Sequence, residues 1–176
     1  MAGGETVLIT GASGNVGLAA IQLAKRRGTE VIAIAAEQKI AVLRSIGADR
    51  CIKRGADLVD ALGPNSVNVV IDVVGGPQWP ELLEMLSIGG RYAVSGAIGG
   101  PLVKLDLRKL YLKDLTLFGC TSQDAGVFRD LLHYLERGEI RPLVSREYAL
   151  QDIAAAQEDF LSKRHVGKII LVPPAV

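Results

Sequence analysis

Short apolar segments alternate with amphipathic stretches along the chain, and this alternation is the strongest constraint on its fold. Apolar runs such as EVIAIA at 30–35 and VNVVIDVV at 67–74 are typical of strands buried on both faces of a parallel sheet. Segment 15–27 instead has apolar residues at helical spacing and is followed by Gly28, a residue that ends helices. We predict strands at 6–10, 30–35, 50–53, 67–74, 91–95, 116–120 and 168–172, and helices at 15–27, 37–45, 56–62, 80–86, 107–112, 127–137 and 151–163.

Alternating strands and helices imply βαβ units with right-handed crossovers. The sequence therefore predicts an α/β fold with three layers, in which a doubly wound, mostly parallel sheet has the strand order 3-2-1-4-5-6. The 176 residues show no linker or repeat, so we predict one domain over 1–176. Mean hydropathy is +0.29, which fits either a doubly buried sheet or an apolar interface that a partner normally covers.

The composition excludes several classes of protein. A net charge of +1 gives no reason to expect a nucleic acid or a membrane as partner. The first residues lack a basic segment followed by an apolar one, and no apolar run approaches the ~18 residues of a membrane span, so we expect a cytoplasmic protein. Cys51, Cys120, His133 and His165 lack metal-ligand spacing, and we predict no metal in this chain.

The segment GASGNVG at 11–17 is the part of the sequence that carries chemistry, because it follows a strand and opens a helix. Gly14 lets the backbone approach a diphosphate, and Gly17 lets the helix pack closely on the strand. N–H groups at the helix start, with the positive end of the helix dipole, then bind the phosphates. Ala12 stands where the first glycine of the usual GxGxxG pattern would fall. The competing interpretation is a glycine-rich turn that binds nothing.

The end of the second strand indicates which dinucleotide is bound. NAD-binding folds usually carry an acidic residue there, but this strand ends in Ala35 and Ala36, and Glu37 comes late. Lys39 and Arg54 lie near this position and suit a 2′-phosphate, which favours NADP(H) over NAD(H). The alternative is that both are solvated surface charges.

Other reactive side chains are assigned no catalytic role. Ser13 and Ser95 lack the GxSxG context of a nucleophile. Asp72 ends a strand, and we interpret it as a buried carboxylate that accepts hydrogen bonds from backbone N–H groups or from the turn at 75–76. We therefore predict no catalytic residue within this chain.

Five ordered blocks resemble the Rossmann cofactor domain of medium-chain dehydrogenases/reductases, in the branch of the quinone oxidoreductases and zinc-type alcohol dehydrogenases. The blocks are GASGNVG at 11–17, IDVVGG at 71–76, LSIGGRYAVSGAIGG at 86–100, LDLRKLYLKDLTLFGCT at 105–121 and HVGKIIL at 165–171. The resemblance implies that the diphosphate lies at 13–16 and that Lys39 contacts the 2′-phosphate, with Arg54 in place of a tyrosine found in the family. It implies the following cofactor-binding residues: Ser13, Gly14, Asn15, Val16, Gly17, Ala35, Lys39, Arg54, Val74, Gly75, Ser95, Gly96, Ala97, Phe118 and Cys120.

Members of this family also carry a GroES-like catalytic domain before the cofactor domain, and the resemblance implies that this domain is missing here. We expect this chain to hold NADPH for hydride transfer with a quinone, enone, aldehyde or alcohol, and to be inactive alone. The resemblance also implies a homodimer formed through the edge strand 116–120. Two alternatives remain, namely a non-catalytic nucleotide-binding module that senses redox state or acts as a scaffold, and the cofactor domain of a multi-domain enoyl reductase.

Overall fold

Six parallel strands form the central sheet of the molecule, for which a computed structural model describes residues 1–174. The strands are β1 (Thr6–Ile9), β2 (Glu30–Ala35), β3 (Arg50–Lys53), β4 (Val67–Asp72), β5 (Leu86–Val94) and β6 (Thr116–Gly119), and the connecting helices are α1 (Asn15–Arg26), α2 (Ile40–Ser45), α3 (Leu58–Leu62), α4 (Trp79–Met85) and α5 (Leu107–Leu112). The strand order is β3-β2-β1-β4-β5-β6, so the predicted doubly wound α/β fold is confirmed.

Apolar side chains cover both faces of this sheet, because successive residues of a strand point to opposite sides. In β1, Leu8 packs with Trp79 and Leu82 of α4 on one face. Val7 and Ile9 pack with Ile21 of α1 on the other face. Burial on both sides explains the near-continuous apolar runs of the inner strands.

Helix α1 lies unusually close to the end of β1, and Gly17 makes this approach possible. A Cβ atom at Gly17 would lie 2.5 Å from the carbonyl oxygen of Gly11 and 2.6 Å from Cα of Ala12. The first turn of α1 is therefore packed directly on the loop that leaves β1, as the glycine pattern predicts.

The C-terminal part of the chain forms a second, smaller sheet beside the first. This C-terminal unit consists of α6 (Ala125–Glu136), β7 (Val144–Ala149), α7 (Ile153–Leu161) and β8 (Lys168–Val172). Strands β7 and β8 pair in parallel and form a sheet of their own. Gln22 of α1 binds this unit through both the carbonyl oxygen and the N–H of Arg141, at 3.1 and 2.8 Å.

Several predicted boundaries were wrong. Strand β7 was missed, because VSREYA does not alternate apolar and polar residues and contains no buried residue. Strand β5 begins at Leu86 rather than at residue 91, because it includes an irregular stretch at Gly89 and Gly90, where Gly89 has φ +72° and the register with β4 shifts. The predicted helix at 151–163 is shorter, because it begins as a 3-10 turn and its α-helical part is Ile153–Leu161. The predicted domain over 1–176 includes residues 175 and 176, which lie outside the described residues.

Replacement of Gly17 by alanine tests the close approach of α1. The added methyl group meets backbone atoms that cannot move independently, so G17A should lower the free energy of unfolding by about 2 kcal/mol. Gly126 in α6 is the matched control, because a Cβ there meets nothing within 4 Å. G126A should be neutral or stabilising by up to ~1 kcal/mol. Urea unfolding measures both values, and equal effects of the two substitutions would contradict the packing argument.

Candidate nucleotide-binding site

A cleft opens at the carboxyl edge of the central sheet, where β1 and β4 are neighbours although they are not consecutive in the chain. This crevice is the usual ligand site of open parallel sheets. It contains a cavity of about 540 Å³, lined by Thr10, Gly11, Ile34, Arg54, Gly55, Ala56, Asp57, Asp72, Val74, Gly75, Pro77, Gln78, Glu81, Leu82 and Gly99.

The glycine loop borders this cleft and leaves the start of α1 uncovered. Gly11 has φ +55°, and a Cβ there would lie 2.7 Å from Cγ2 of Val73, so only glycine fits the turn. The N–H of Gly14 donates to the carbonyl of Gly11 at 2.9 Å, which closes the loop. Gly14 is the N-cap of α1 and supplies no side-chain cap, and the first turn contains no acidic residue. These N–H groups therefore suit an anionic ligand such as a diphosphate.

Within this loop, Ser13 is buried, whereas Gly14, Asn15 and Val16 are exposed at the N-terminal end of α1. The exposure of these residues is compatible with contact to a diphosphate, which stays a prediction. Gly17 lies one residue further in and is buried against the loop, as described above.

Positive charge collects at the carboxyl end of β2. The N–H of Arg54 donates to the carbonyl of Ala35 at 2.8 Å, which places Arg54 beside the buried last residue of the strand. Lys39 is buried, and its Nζ donates to the carbonyl oxygens of Lys163 and His165 at 2.8 and 2.9 Å. Burial lowers the pKa of Lys39, and the positive charges of Arg54 and Lys163 lower it further.

The acidic residue nearest in sequence does not offset this charge. Glu37 pairs with Lys53 at 3.0 Å, and both side chains are exposed. An ammonium group has three donors, and Lys39 uses two of them on the carbonyls of the C-terminal unit. The role of Lys39 and Arg54 toward a 2′-phosphate stays a prediction.

Asp72 organises the turn that separates the two halves of the cleft. Its side chain is fully buried, and its Oδ1 accepts hydrogen bonds from Val74 N at 2.8 Å and from Gly75 N at 3.0 Å. The interpretation of Asp72 as a buried acceptor of backbone N–H groups is thus confirmed. The turn at 73–76 is hydrogen-bonded to the chain that follows β5, because Gly99 N donates to the carbonyl of Val74 at 2.7 Å.

The remaining predicted residues lie on the β5 and β6 side. Ser95 N donates to the carbonyl of Asp72 at 3.0 Å, and a Cβ at Gly96 would lie 2.6 Å from the carbonyl oxygen of Val73. Ala97 packs against Gly75 in the same region, where a Cβ on that glycine would lie 3.2 Å from the Cα of Ala97. Phe118, in β6, and Cys120, which follows it, are exposed at the sheet edge.

Only part of the predicted set lines the cavity itself. Arg54, Val74 and Gly75 do so. The other predicted residues do not line it and lie in the glycine loop and the start of α1, at the end of β2 and just after it, after β5, and in and after β6. Sequence reasoning missed Lys163, for which proximity in the fold is the only signal, and it missed Thr10, Gln78 and Glu81 on the cavity wall. Thr10 was included in the first predicted strand, so its position at the strand end was not recognised.

A metal ion finds no ligand set in the part of the chain that the structure describes. Within residues 1–174, no group of three or more His, Cys, Asp or Glu side chains could hold one. The residues present therefore do not fit a zinc site, whereas the uncapped helix start and the positive end of β2 fit a dinucleotide.

The family model for zinc-binding dehydrogenases matches residues 15–137. This chain belongs to that family and is a cofactor-binding domain of the medium-chain dehydrogenase/reductase superfamily. The match runs from the start of α1 to the end of α6 and includes strands β2 to β6, and it bears out the family resemblance.

Two curated relatives are oxidoreductases that align with nearly the whole chain. An acryloyl-coenzyme A reductase of Metallosphaera sedula is 36% identical over 96% of this chain and 51% of its own length. A quinone oxidoreductase of Rattus norvegicus is 32% identical over 96% of this chain and 55% of its own length. The chain thus spans about half the length of the curated relatives it matches.

Solved structures share the fold closely. A thermostable alcohol dehydrogenase of Pyrobaculum aerophilum, solved with cobalt and zinc, has a TM-score of 0.87 at 35% identity. The matched region covers 98% of this chain and 52% of the dehydrogenase chain. The 2-octenoyl-CoA carboxylase reductase CinF, solved with NADP and 2-octenoyl-CoA, has a TM-score of 0.87 at 26% identity, covering 97% of this chain and 44% of its own. Relatives of this chain therefore include reductases that bind a nicotinamide cofactor. Separately, no helix among the described residues has the length and apolar character needed to cross a membrane.

The lowered pKa of Lys39 predicts a pH dependence of stability. A lysine whose pKa lies below 10.5 when folded loses its proton at lower pH in the folded chain than in the unfolded chain. Over that interval the unfolded chain binds more protons, so the free energy of unfolding should rise with pH up to about 10.5. Below the interval Lys39 is charged in both states, and this stabilising contribution is absent.

The free energy of unfolding of K39M, measured in urea between neutral pH and about pH 10, should not show this rise with pH. The exposed lysine variant K104M should keep it, and parallel curves for wild type and K39M would contradict the argument.

Proposed function

We propose that this chain binds NADP(H) in the cleft at the carboxyl edge of its central sheet. The uncapped start of α1, framed by Gly11 and Gly14, carries the proposal, because its N–H groups and helix dipole offer a binding surface for a diphosphate. Ser13, Asn15 and Val16 belong to the same turn and would surround the diphosphate.

The preference for NADP(H) over NAD(H) is supported by the charges at the end of β2. Arg54 and Lys163 lie close enough to Lys39 for their positive charges to lower its pKa beyond the effect of burial. The strand end carries no carboxylate that would bind a free ribose hydroxyl. An added phosphate would relieve repulsion among these cations. The phosphate oxygens would accept hydrogen bonds from the guanidinium group of Arg54.

Opposite the diphosphate turn, the segments 73–76 and 95–97 and the end of β6 would surround the rest of the cofactor. Val74, Gly75, Ser95, Gly96 and Ala97 supply backbone and small side chains there. Phe118 and Cys120 would lie toward the nicotinamide. The bound cofactor would supply the hydride, while these residues bind and orient it.

For the whole protein, we propose an oxidoreductase that moves a hydride between NADPH and a quinone, enone, aldehyde or alcohol. The curated relatives reduce an acryloyl thioester or a quinone, which supports an activated carbon–carbon double bond or a quinone as substrate. A second, catalytic domain of the GroES-like type would provide the substrate pocket. This chain alone would then bind cofactor in the cytoplasm but turn over little substrate.

Strand β6 further supports a homodimer. All four of its residues are exposed at the outer edge of the sheet, and Leu117 and Phe118 expose 38% and 48% of their surface. An edge strand with apolar side chains pairs readily with a second copy of itself.

Substitution of Arg54 tests the cofactor assignment. Calorimetric titration of the purified 176-residue chain should show tighter binding of NADPH than of NADH. R54Q should weaken NADPH binding about tenfold and leave NADH binding nearly unchanged, because it removes a charge-assisted contact to phosphate. R50Q, at the amino end of the same strand β3 and away from the cleft, should bind both like wild type. Preference for NADH, or equal effects of the two substitutions, would contradict the NADP(H) proposal.

The dimer proposal predicts a concentration-dependent mass. Light scattering should give the mass of two chains at high concentration, and L117K should give one chain, because a charge on an edge strand opposes pairing. V144K, which places a lysine on the exposed Val144 of β7, is the control and should remain dimeric. A wild-type chain that stays monomeric at every concentration would rule out this interface.

A further inference from the structure

A buried hydrogen-bond network links the cleft to a tyrosine that does not line it. Thr10 Oγ1 donates to Oδ1 of Asp72 at 2.5 Å and accepts from Val73 N at 3.1 Å. On the other side, the hydroxyl of Tyr92 donates to Oδ2 of Asp72. Tyr92 is buried in β5, and its ring packs edge-on against Trp79 with centroids 6.0 Å apart.

The two carboxylate oxygens of Asp72 differ in how they are satisfied. Oδ1 accepts from Thr10, Val74 and Gly75, whereas Tyr92 is the one donor to Oδ2 within the described residues. A buried carboxylate oxygen without a donor carries a large desolvation cost. Burial and the neighbouring carboxylate raise the pKa of Tyr92, so its hydroxyl stays protonated and remains a donor.

This network binds the turn at 73–76, against which two loops of the cleft pack. A Cβ at Gly11 would lie 2.7 Å from Cγ2 of Val73 and 2.9 Å from Cγ2 of Val74. The turn therefore packs directly against the glycine loop. A Cβ at Gly76 would lie 2.4 Å from the carbonyl oxygen of Gly99, so the turn also packs on the chain after β5. A displacement of 73–76 would therefore move both neighbouring loops.

We propose that Tyr92 and Asp72 are positioning residues for the nucleotide, and that Tyr92 acts through Asp72 to hold the 73–76 turn in its binding geometry. The proposal rests on the proposed function, since it specifies how that same cleft is kept ready for a dinucleotide. Tyr92 makes no contact with the cavity, so its effect on binding is indirect.

Replacement of Tyr92 by phenylalanine removes only the hydroxyl group and tests the proposal. In the purified 176-residue chain, Y92F should raise the Kd for NADPH about tenfold. Amide hydrogen exchange should speed up selectively at Val74 and Gly75, whose N–H groups bind Asp72. Y148F is the matched control, because it also removes a tyrosine-to-aspartate hydrogen bond, from Tyr148 to Asp159 at 3.2 Å in the C-terminal unit. It should leave the Kd and the exchange of the turn unchanged.

The outcomes separate positioning from general stability and from the proposed function. A folded Y92F that binds NADPH like wild type overturns the positioning role, as does exchange that speeds up uniformly across the domain. Failure of the wild-type chain to bind NADPH overturns the proposed function instead. If Y92F does not fold, T10V removes a donor to Oδ1 and should produce the same rise in Kd and the same selective exchange. T10S, which keeps the hydroxyl, should restore both, and a folded T10V with wild-type exchange at the turn overturns the proposal.

Discussion

The close packing of α1 on the end of β1 is the constraint on which the rest of the structure depends. Because Gly17 lets the helix touch the backbone at Gly11 and Ala12, the loop between them is short, and there is no room for a side chain at Gly11 or Gly17. The same packing places the start of α1 beside the loop that leaves β1, whose neighbour in the sheet is β4. One steric requirement thus determines both how α1 packs on the sheet and where its uncapped first turn lies.

Much of the fold follows from the sequence because strands buried on both faces have a distinctive composition. The runs at 30–35 and 67–74 are apolar almost throughout, and only an inner strand of a parallel sheet buries such a segment. The C-terminal unit was harder to predict. Strand β7 has no buried residue, and its partner β8 lies beyond a helix, so the local pattern carried little information about their pairing.

The candidate site divides in the same way. The glycine loop and Arg54 are recognisable because they lie next to strand ends, where the chain order reveals their position. Lys163 is 124 residues from Lys39, and Tyr92 acts on the turn through a carboxylate 20 residues away. Such relationships arise from tertiary contacts, and a single sequence contains no sign of them. Asp72 was recognised as a buried acceptor, but its donors could be identified only in the folded chain.

The two carbonyl groups that accept from Lys39 belong to the segment between α7 and β8. Local opening of that C-terminal unit would separate Lys163 from Lys39. A ligand in the cleft that is bound by Lys163 in the closed unit would therefore be thermodynamically linked to closure, so each event would favour the other. The end of the chain, far from the glycine loop in sequence, thereby becomes part of the energetics of recognition at the other end of the cleft.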